Sequence, residues 1–247
     1  MNRSNRKWFC IEMPTMEYRE AWNLQIRLVN DRKEGTFDRD IILFLEHFPV
    51  FTLGHRGGLE NLNVSEDILK ESGISVVHTE RGGDITFHAP GQLVVYPIID
   101  LRAARISVTG YVEKLEDIMI RTAADWGITA VRNPLNRGVW VEKDKLGSIG
   151  IAVRRGICFH GMALNVNLSL KPFGWINPCG LGDITMTSME QVISGEISMG
   201  EVREAVKGHI QEVFGVGLVM MEPSELNIDG LVKSPSTGRG RVSPGLG

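Results

Sequence analysis

Three cysteines occur in this chain, and one of them lies in a segment where a thiol could do chemistry. Cys179 stands between Pro178 and Gly180, in a stretch too rich in glycine and proline for regular structure. A loop keeps a thiol accessible, and a neighbouring glycine lets a substrate approach closely. Cys10 and Cys158 fall in predicted strands, where a thiol is usually buried and inert. Cys179 is therefore the candidate nucleophile, although an exposed loop cysteine without function has the same pattern.

Lys145 is the candidate partner of that thiol. Most lysines are solvated surface charges, but Lys145 begins the segment KLGSIG, whose small residues would let the backbone run close to a ligand. A lysine beside a cysteine can hold it as the thiolate, and burial can lower the pKa of the lysine so that it carries protons. The two residue types together indicate a cysteine–lysine site.

The glycine-rich segment RGGDITFHAPGQ, residues 81–92, is the next candidate. It is neither a Walker loop nor a dinucleotide fingerprint, since the chain has no GxxxxGK[ST] and no GxGxxG between a strand and a helix. Two adjacent glycines before a strand favour a wall whose backbone N–H groups face a ligand. These residues alone leave acyl transfer, thiol redox chemistry and simple binding open.

Two histidines, His88 and His160, each precede a small residue. The ordinary interpretation of such a histidine is a half-buried ring with satisfied nitrogen atoms. Their spacing relative to Cys158 and Cys179 fits no common zinc pattern, so we expect no metal site.

Composition limits the class of protein. The chain has 247 residues, 43% of them apolar, and a net charge of −3 from 27 basic and 30 acidic residues. This near balance argues against broad nucleic-acid binding, and no apolar run reaches the length of a membrane span. An odd number of cysteines without paired spacing indicates a reducing compartment, and the basic N-terminus lacks the apolar core of a secretion signal. We therefore expect a cytoplasmic protein.

Predicted strands and helices run through most of the chain without a break in composition. We expect one domain over residues 1–233 and a disordered tail over residues 234–247, which has almost nothing to bury. The predicted strands cover residues 7–13, 41–46, 50–54, 74–80, 93–101, 127–132, 137–142, 145–154, 157–170 and 216–222, and the predicted helices cover 14–33, 65–73, 108–126, a turn near 188, and 199–213.

Four motifs in this order resemble one enzyme family. They are TLGHRGG, RGGDITFHAPGQLVVYPIIDL, KLGSIGIAVRRGICFHGMALNVNL and INPCGL. Together they are similar to the octanoyl-[acyl carrier protein]:protein N-octanoyltransferases, also called lipoyl(octanoyl) transferases. The likeness extends from about residue 10 to residue 215. Within HAPGQ, Ala89 stands where glycine is usual in that family.

The resemblance implies a fold and roles for particular residues. The fold would be α/β (α+β), a single domain with a mixed β-sheet flanked by helices, like lipoate- and biotin-protein ligases. Cys179 would be the acyl-thioester nucleophile, and Lys145 would lower the pKa of its thiol. Three stretches would line the acyl site: Arg81, Gly82, Gly83, Asp84, Ile85, Thr86, Phe87 and His88; Ser148, Ile149 and Gly150; and Gly161, Met162 and Ala163.

The same resemblance implies a reaction. An octanoyl group would pass from octanoyl-acyl carrier protein to the ε-amine of a lysine on lipoyl domains of 2-oxoacid dehydrogenases or on the glycine cleavage H protein, as the first step of protein lipoylation. No cofactor would be required, because the donor is already a thioester. Two alternatives stay open: an ATP-dependent lipoate-type protein ligase, and a catalytically silent protein that binds the acyl group or its carrier.

Overall fold

A computed structural model describes residues 6–134, 136–177 and 184–226. The strands are β1 (Lys7–Glu12), β2 (Ile41–Leu45), β3 (Val50–Leu53), β4 (Ser75–His78), β5 (Ile85–His88), β6 (Gln92–Asp100), β7 (Val131–Arg132), β8 (Val139–Val141), β9 (Asp144–Arg154), β10 (Ile157–Asn165) and β11 (Gly217–Met220). The helices are α1 (Tyr18–Glu34), α2 (Glu66–Glu71), α3 (Leu101–Ala104), α4 (Val108–Asp125), α5 (Met189–Ile193) and α6 (Met199–Phe214), with short 3-10 turns at Leu59–Asn61, Lys171–Trp175 and Pro223–Leu226.

Eight strands form a mixed sheet in the order β11-β1-β2-β6-β10-β9-β8-β7. β2 is a run of five apolar residues, all buried, because both faces of this sheet are covered. Ile42 and Phe44 pack on the side of α4 and α6, whereas the alternate residues of β2 pack on the side of α1. The two cores thus lie on opposite faces of one sheet.

Three further strands form a small sheet in the order β4-β3-β5. Its core contains Phe51 and Leu53 of β3, Ile85 and Phe87 of β5, and Phe173 of a 3-10 turn. The first turn of α1 packs on this sheet, since Tyr18 clusters with Val50 and Val77. The small sheet is therefore held close to the large one.

Most predicted elements are present. Their boundaries differ from the predicted ones where backbone N–H groups donate to carbonyls that are distant in the chain. Helix α1 begins at Tyr18 rather than at Pro14, because Met13 and Met16 donate backbone hydrogen bonds to Phe44 and Glu46 and keep this segment extended. β10 ends at Asn165 rather than at residue 170, because the N–H groups of residues 166 and 167 both donate to the Gly91 carbonyl.

The Ala89 position shows no backbone strain. A positive φ occurs at the neighbouring Gly91, at 88°, and Ala89 lies outside the left-handed region. The glycine that is usual in the family is therefore not needed for this conformation.

Two further observations bear on the sequence predictions. No helix of the described residues is long and apolar enough to cross a membrane. The predicted tail, residues 234–247, lies outside the described residues.

Candidate active site

A cavity of about 460 Å³ opens where the small sheet meets the large one. Its wall combines β5 with β6, β9 and β10 and with the loop that precedes β5. This volume falls within the roughly 300–1,000 Å³ typical of small-molecule sites.

The predicted stretches of β9 and β10 lie directly opposite each other in this wall. Antiparallel pairing places Ser148 opposite Ala163, Ile149 opposite Met162, and Gly150 opposite Gly161. The loop before β5 joins them, since the Gly82 N–H donates to the Ile151 carbonyl over 2.8 Å. Three stretches that are far apart in the chain therefore form one continuous surface.

Arg81 organises the loop before β5. Its side chain is buried, and Nη2 donates to the Thr52 carbonyl over 2.6 Å and to the Asp84 carbonyl over 2.7 Å. Nε donates to the Thr52 hydroxyl over 3.1 Å. The guanidinium thus connects the loop to β3 through several hydrogen bonds.

The upstream motif TLGHRGG completes that loop. Backbone N–H groups of Gly54, His55 and Arg56 donate to the carbonyls of Asp84, Arg81 and Gly83 over 3.1, 2.9 and 3.2 Å, respectively. The motif therefore has a structural use, which is to fix the conformation of the segment RGGD.

Lys145 faces the cavity and is buried, with 6% of its surface exposed. Nζ donates to Asn136 Oδ1 over 2.6 Å and lies 5.4 Å from the centre of the Trp140 ring. On the backbone, Lys145 N donates to the Thr185 carbonyl, and Thr187 N donates to the Lys145 carbonyl. A buried amine on a cavity wall is the environment in which a lysine takes part in proton transfer.

Cys179, the predicted nucleophile, lies outside the described residues. The segments on both sides of the gap 178–183 reach the cavity, since Phe173 before it and Met186 after it belong to the cavity wall. The other two cysteines are buried as predicted, and burial raises the pKa values of Cys10 and Cys158 to about 12. Neither of these is a thiolate at neutral pH.

Phe87 is the one predicted binding residue of the described chain that does not line the cavity. Adjacent residues of a strand point to opposite faces, and Thr86 and His88 face the cavity. The Phe87 ring packs instead in the core of the small sheet, with its centre 5.1 Å from that of Phe51 and 5.6 Å from that of Phe173.

A chain of side-chain amides determines the tautomer of His88. Asn165 Nδ2 donates to the Thr187 carbonyl over 2.9 Å, so Asn165 Oδ1 must accept from Gln92 Nε2, which lies 2.9 Å away. Gln92 Nε2 also faces the Phe87 carbonyl, which leaves Gln92 Oε1 to accept from His88 Nδ1 over 2.7 Å. His88 therefore carries its proton on Nδ1, and Nε2 is the ring nitrogen that can accept a hydrogen bond.

Known proteins identify the family. The sequence profile of the lipoyl protein ligase A/B catalytic domain matches residues 17–211. The chain belongs to this family. A protein of Desulfotalea psychrophila named octanoyltransferase is 46% identical over 209 residues, which cover 84% of this chain and 94% of that protein. An octanoyltransferase of Syntrophobacter fumaroxidans is 42% identical over 85% of this chain and 91% of that protein.

Solved structures agree on the fold of this lipoyl protein ligase family member. A lipoate-protein ligase A bound with ATP superimposes with a TM-score of 0.67 at 18% identity, over 88% of both chains. A structure of a bipartite lipoate protein ligase from Thermoplasma acidophilum gives a TM-score of 0.68 at 18% identity, also over 88% of both chains. The predicted mixed-sheet, ligase-like fold and the predicted family are both confirmed.

Several residues of this site went unnoticed in the sequence. Tyr18 and Tyr96 line the cavity, although the sequence placed them only within a predicted helix and a predicted strand. Asn136 contacts Lys145 from a loop without periodic pattern. Gln25 of α1 accepts the His160 N–H over 2.7 Å and so stabilises a residue whose φ is 55°. A polar side chain on the buried face of α1 was the signal in the sequence that could have indicated this contact.

Across residues 6–134, 136–177 and 184–226, no group of three or more histidine, cysteine, aspartate or glutamate side chains is placed to hold a metal ion.

Three buried histidines lie in or behind the cavity wall: His88 and His160 line the cavity, and His47 contacts the lining residue Tyr96. His47 contacts the Met16 carbonyl through Nδ1 and the Tyr96 hydroxyl through Nε2, over 3.1 and 2.8 Å. Burial lowers the pKa of His47 to about 4 and that of His160 to about 3, and it lowers the pKa of His88 well below its usual value. All three are therefore neutral in the folded protein at physiological pH.

We expect the free energy of unfolding to fall as the pH drops below about 6.5. The unfolded chain then binds protons on these histidines while the folded chain does not, until the pH approaches about 4 for His47. Each histidine contributes a slope of up to about 1.4 kcal/mol per pH unit, and above about pH 7 it contributes none. Urea denaturation from pH 8 to pH 4.5 measures this dependence.

The matched variants are His47→Gln and His78→Gln. The first removes one buried titrating ring and should reduce the slope between pH 6 and pH 4.5, even though it also lowers stability at pH 8. The second replaces an exposed histidine and should leave the slope unchanged. Equal slopes in all three proteins would contradict the assignment.

Proposed function

We propose that this protein transfers an octanoyl group from octanoyl-acyl carrier protein, through a thioester on Cys179, to a lysine of a lipoyl domain. The observation that carries the proposal is the identity of 38–46% to proteins named octanoyltransferase over most of the chain. The cavity supports it, since buried Lys145 lines the same cavity as the stretches of β9 and β10 that the family resemblance assigns to acyl binding. We assign the activity to residues 1–233 and place the reaction in the cytoplasm, where thiols stay reduced.

The first half-reaction exchanges one thioester for another. Lys145 takes the proton of the Cys179 thiol, or already holds it as an ion pair, and the thiolate attacks the carbonyl carbon of the donor. The carbon–sulfur bond to the carrier breaks, and Lys145 passes the Cys179 proton to the carrier sulfur, so that the carrier leaves as a thiol and Lys145 is neutral again. Because a thioester is broken and another is made, this step is nearly neutral in free energy.

The second half-reaction forms an amide and runs downhill. The ε-amine of the acceptor lysine must be neutral to attack the Cys179 thioester, and Lys145 accepts the proton that the amine loses. The carbon–sulfur bond then breaks, and the proton returns to the Cys179 sulfur. The donor supplies all the energy, so this route needs no nucleotide and no metal.

Apolar side chains of the cavity suit an alkyl chain. They include Val94, Ile149, Ile151, Met162 and Met186. Burial of the seven carbons beyond the carbonyl would contribute on the order of 5 kcal/mol, at about 0.8 kcal/mol each. One methylene changes the binding energy by only about 1 kcal/mol, so we expect strong discrimination against short chains and weak discrimination against neighbouring lengths.

The acceptors that fit this chemistry present a lysine on a small folded domain. We propose lipoyl domains of 2-oxoacid dehydrogenases and the glycine cleavage H protein as acceptors, and octanoyl-acyl carrier protein as the donor. The solved structure from Thermoplasma acidophilum is described as that of a bipartite lipoate protein ligase and its E2 lipoyl domain. Catalysis of this kind requires that both partners reach the same cavity in turn.

Intact mass spectrometry tests the proposal. The protein is incubated with octanoyl-acyl carrier protein, and its mass is measured before and after a lipoyl domain is added. We expect one octanoyl group on the wild-type protein, its discharge by the lipoyl domain, and no adduct on Cys179→Ala, because the thioester requires that sulfur.

Cys158→Ala is the matched control, because it removes a buried cysteine that is not a thiolate. It should form the adduct as the wild type does. Octanoyl transfer without an adduct on the wild-type protein would exclude Cys179 as the nucleophile, and a requirement for ATP and free octanoate would favour a ligase. Failure to react with any acyl donor would favour a silent binding protein.

A further inference from the structure

The loop between β7 and β8, whose described residues are 133, 134 and 136–138, is anchored from behind by a buried carboxylate. Glu116 of α4 has no exposed surface, and its Oε1 accepts the Gly138 N–H over 3.1 Å. Its Oε2 accepts from Arg132 Nε over 3.1 Å and from Arg137 Nη1 over 3.4 Å. Both ends of the loop are thereby held on α4 by charge-assisted hydrogen bonds.

The same loop lies against the side chain of Lys145. Gly138 has a φ of 124°, and a Cβ there would lie 2.3 Å from the Gly147 carbonyl oxygen and 2.9 Å from Lys145 Cε. A residue with a side chain would therefore push the loop away from the lysine. The loop can approach Lys145 this closely only because residue 138 is a glycine.

Asn136 is the residue that the loop presents to the amine. Its backbone carbonyl accepts from Trp140 Nε1 over 3.1 Å, and Trp140 is the cross-strand neighbour of Lys145. Its side-chain oxygen Oδ1 accepts from Lys145 Nζ over 2.6 Å, and Asn136 itself lines the cavity. Hydrogen bonds thus fix both the backbone and the side chain of Asn136.

We propose that Asn136 is a positioning residue that aims the amino group of Lys145 into the cavity while offering it an uncharged acceptor. An uncharged acceptor fixes the direction of Nζ without stabilising the ammonium form as a carboxylate would. Lys145 can then bind a proton and release it again within one turnover. This inference rests on the proposed role of Lys145 in proton transfer.

The informative variant is Asn136→Asp, which keeps the shape of the side chain and adds one negative charge. An opposite charge in contact with an amine raises the pKa of that amine by about one to three units. The charged side chains that line the cavity are Arg56, Arg81, Asp84, Arg137 and Lys145, the titratable ones are Tyr18, His88, Tyr96 and His160, and Glu116 lies behind the loop. None of these other groups changes in the variant.

The first measurement reports the protonation of the Lys145 amine and does not depend on acyl transfer. Lys145 is labelled with acetic anhydride over a range of pH, and its labelled peptide is quantified by mass spectrometry. We expect the labelling midpoint to rise by about one to three pH units in Asn136→Asp. Asn23→Asp adds the same charge on an exposed position of α1 and should leave the midpoint unchanged.

The second measurement tests how the added charge changes the rate of acyl transfer to the lipoyl domain. Octanoylated enzyme is mixed with a lipoyl domain, and the discharge rate is followed from pH 6 to pH 9.5. In Asn136→Asp the acceptor amine must give its proton to a Lys145 that is already protonated, so discharge at pH 7 should be about 10- to 1,000-fold slower. The ratio of the wild-type rate to the variant rate should fall toward one as the pH rises.

The two readouts separate this inference from the proposed function. A labelling midpoint that does not move in Asn136→Asp, or a rate defect of the same size at every pH, would overturn the role of Asn136. A midpoint that shifts in Asn136→Asp, together with a wild-type protein that forms no octanoyl adduct, would support the Asn136 contact and reject the proposed function. A shifted midpoint with a narrowing rate ratio would support both.

Discussion

Replacement of Lys145 by methionine is expected to slow acylation of Cys179 by octanoyl-acyl carrier protein by about 10²–10⁴-fold at pH 7. Methionine retains the apolar stem that packs near Trp140 but has no group that can take a proton. The thiol would then have to ionise at its ordinary pKa of about 8.5, so little thiolate would be present at neutral pH. The observable is the rate of octanoyl adduct formation in a rapid-quench, intact-mass assay.

The pH dependence of that defect distinguishes loss of a proton acceptor from loss of structure. At about pH 9.5 most free thiols are ionised without help, so the defect in acylation should shrink by an order of magnitude or more. Lys143→Met is the matched control, since Lys143 is exposed and two residues away, and it should acylate at the wild-type rate. A Lys145→Met protein that acylates normally at pH 7 would remove this lysine from the mechanism.

A single added methyl group at Gly161 should destabilise the protein by about 3 kcal/mol or more. A Cβ at this position would lie 2.2 Å from the Val95 carbonyl oxygen and 2.8 Å from Pro97 Cδ. Both atoms belong to β6, which is paired with β2 on one side and β10 on the other and cannot move aside. Overpacking of a core costs about 1–3 kcal/mol, and a backbone obstacle in the middle of a sheet belongs at the upper end.

Urea denaturation of Gly161→Ala at pH 7.5 measures the effect. Because typical domains are stable by only about 5–15 kcal/mol, the loss should lower the transition midpoint substantially. Gly208→Ala in α6 is the control, since no atom other than those of its chain neighbours and its own helix backbone lies within 4 Å of its added Cβ. Alanine in a helix interior should stabilise the protein by about 0.5–1 kcal/mol. Equal midpoints for Gly161→Ala and wild type would show that β6 and β10 separate more easily than their pairing indicates.

The Gly161 prediction also links stability to the site. Gly161 pairs with Gly150, and the neighbouring pairs Ile149–Met162 and Ser148–Ala163 form the cavity wall. A methyl group that pushes β10 away from β6 would move this wall as well. We therefore expect any folded fraction of Gly161→Ala to bind acyl groups poorly.

Local patterns in the sequence predicted most of the elements, and the family resemblance named most of the residues of the candidate site. The uninterrupted apolar run of β2 predicted a strand buried on both faces, and the structure has it so. Ser65 predicted a capped helix, and its side chain accepts the Ile68 N–H. Lys145 stood out because it begins the small-residue segment KLGSIG, and the stretches of β9 and β10 were named through the resemblance, whose motifs are contiguous in the chain.

The tertiary structure alone decided how those stretches meet and what surrounds the amine. Alternate residues of β5 point to opposite faces, and Phe87 faces away from the cavity because its face packs in the core of the small sheet. Asn136 reaches Lys145 because Glu116, twenty positions earlier in the chain, holds the loop on α4. Such contacts depend on strand pairing and hydrogen bonds between distant residues, for which a local pattern of side chains carries no signal. The sequence therefore determined which residues are available for chemistry, and the packing of the two sheets decided which of them act together.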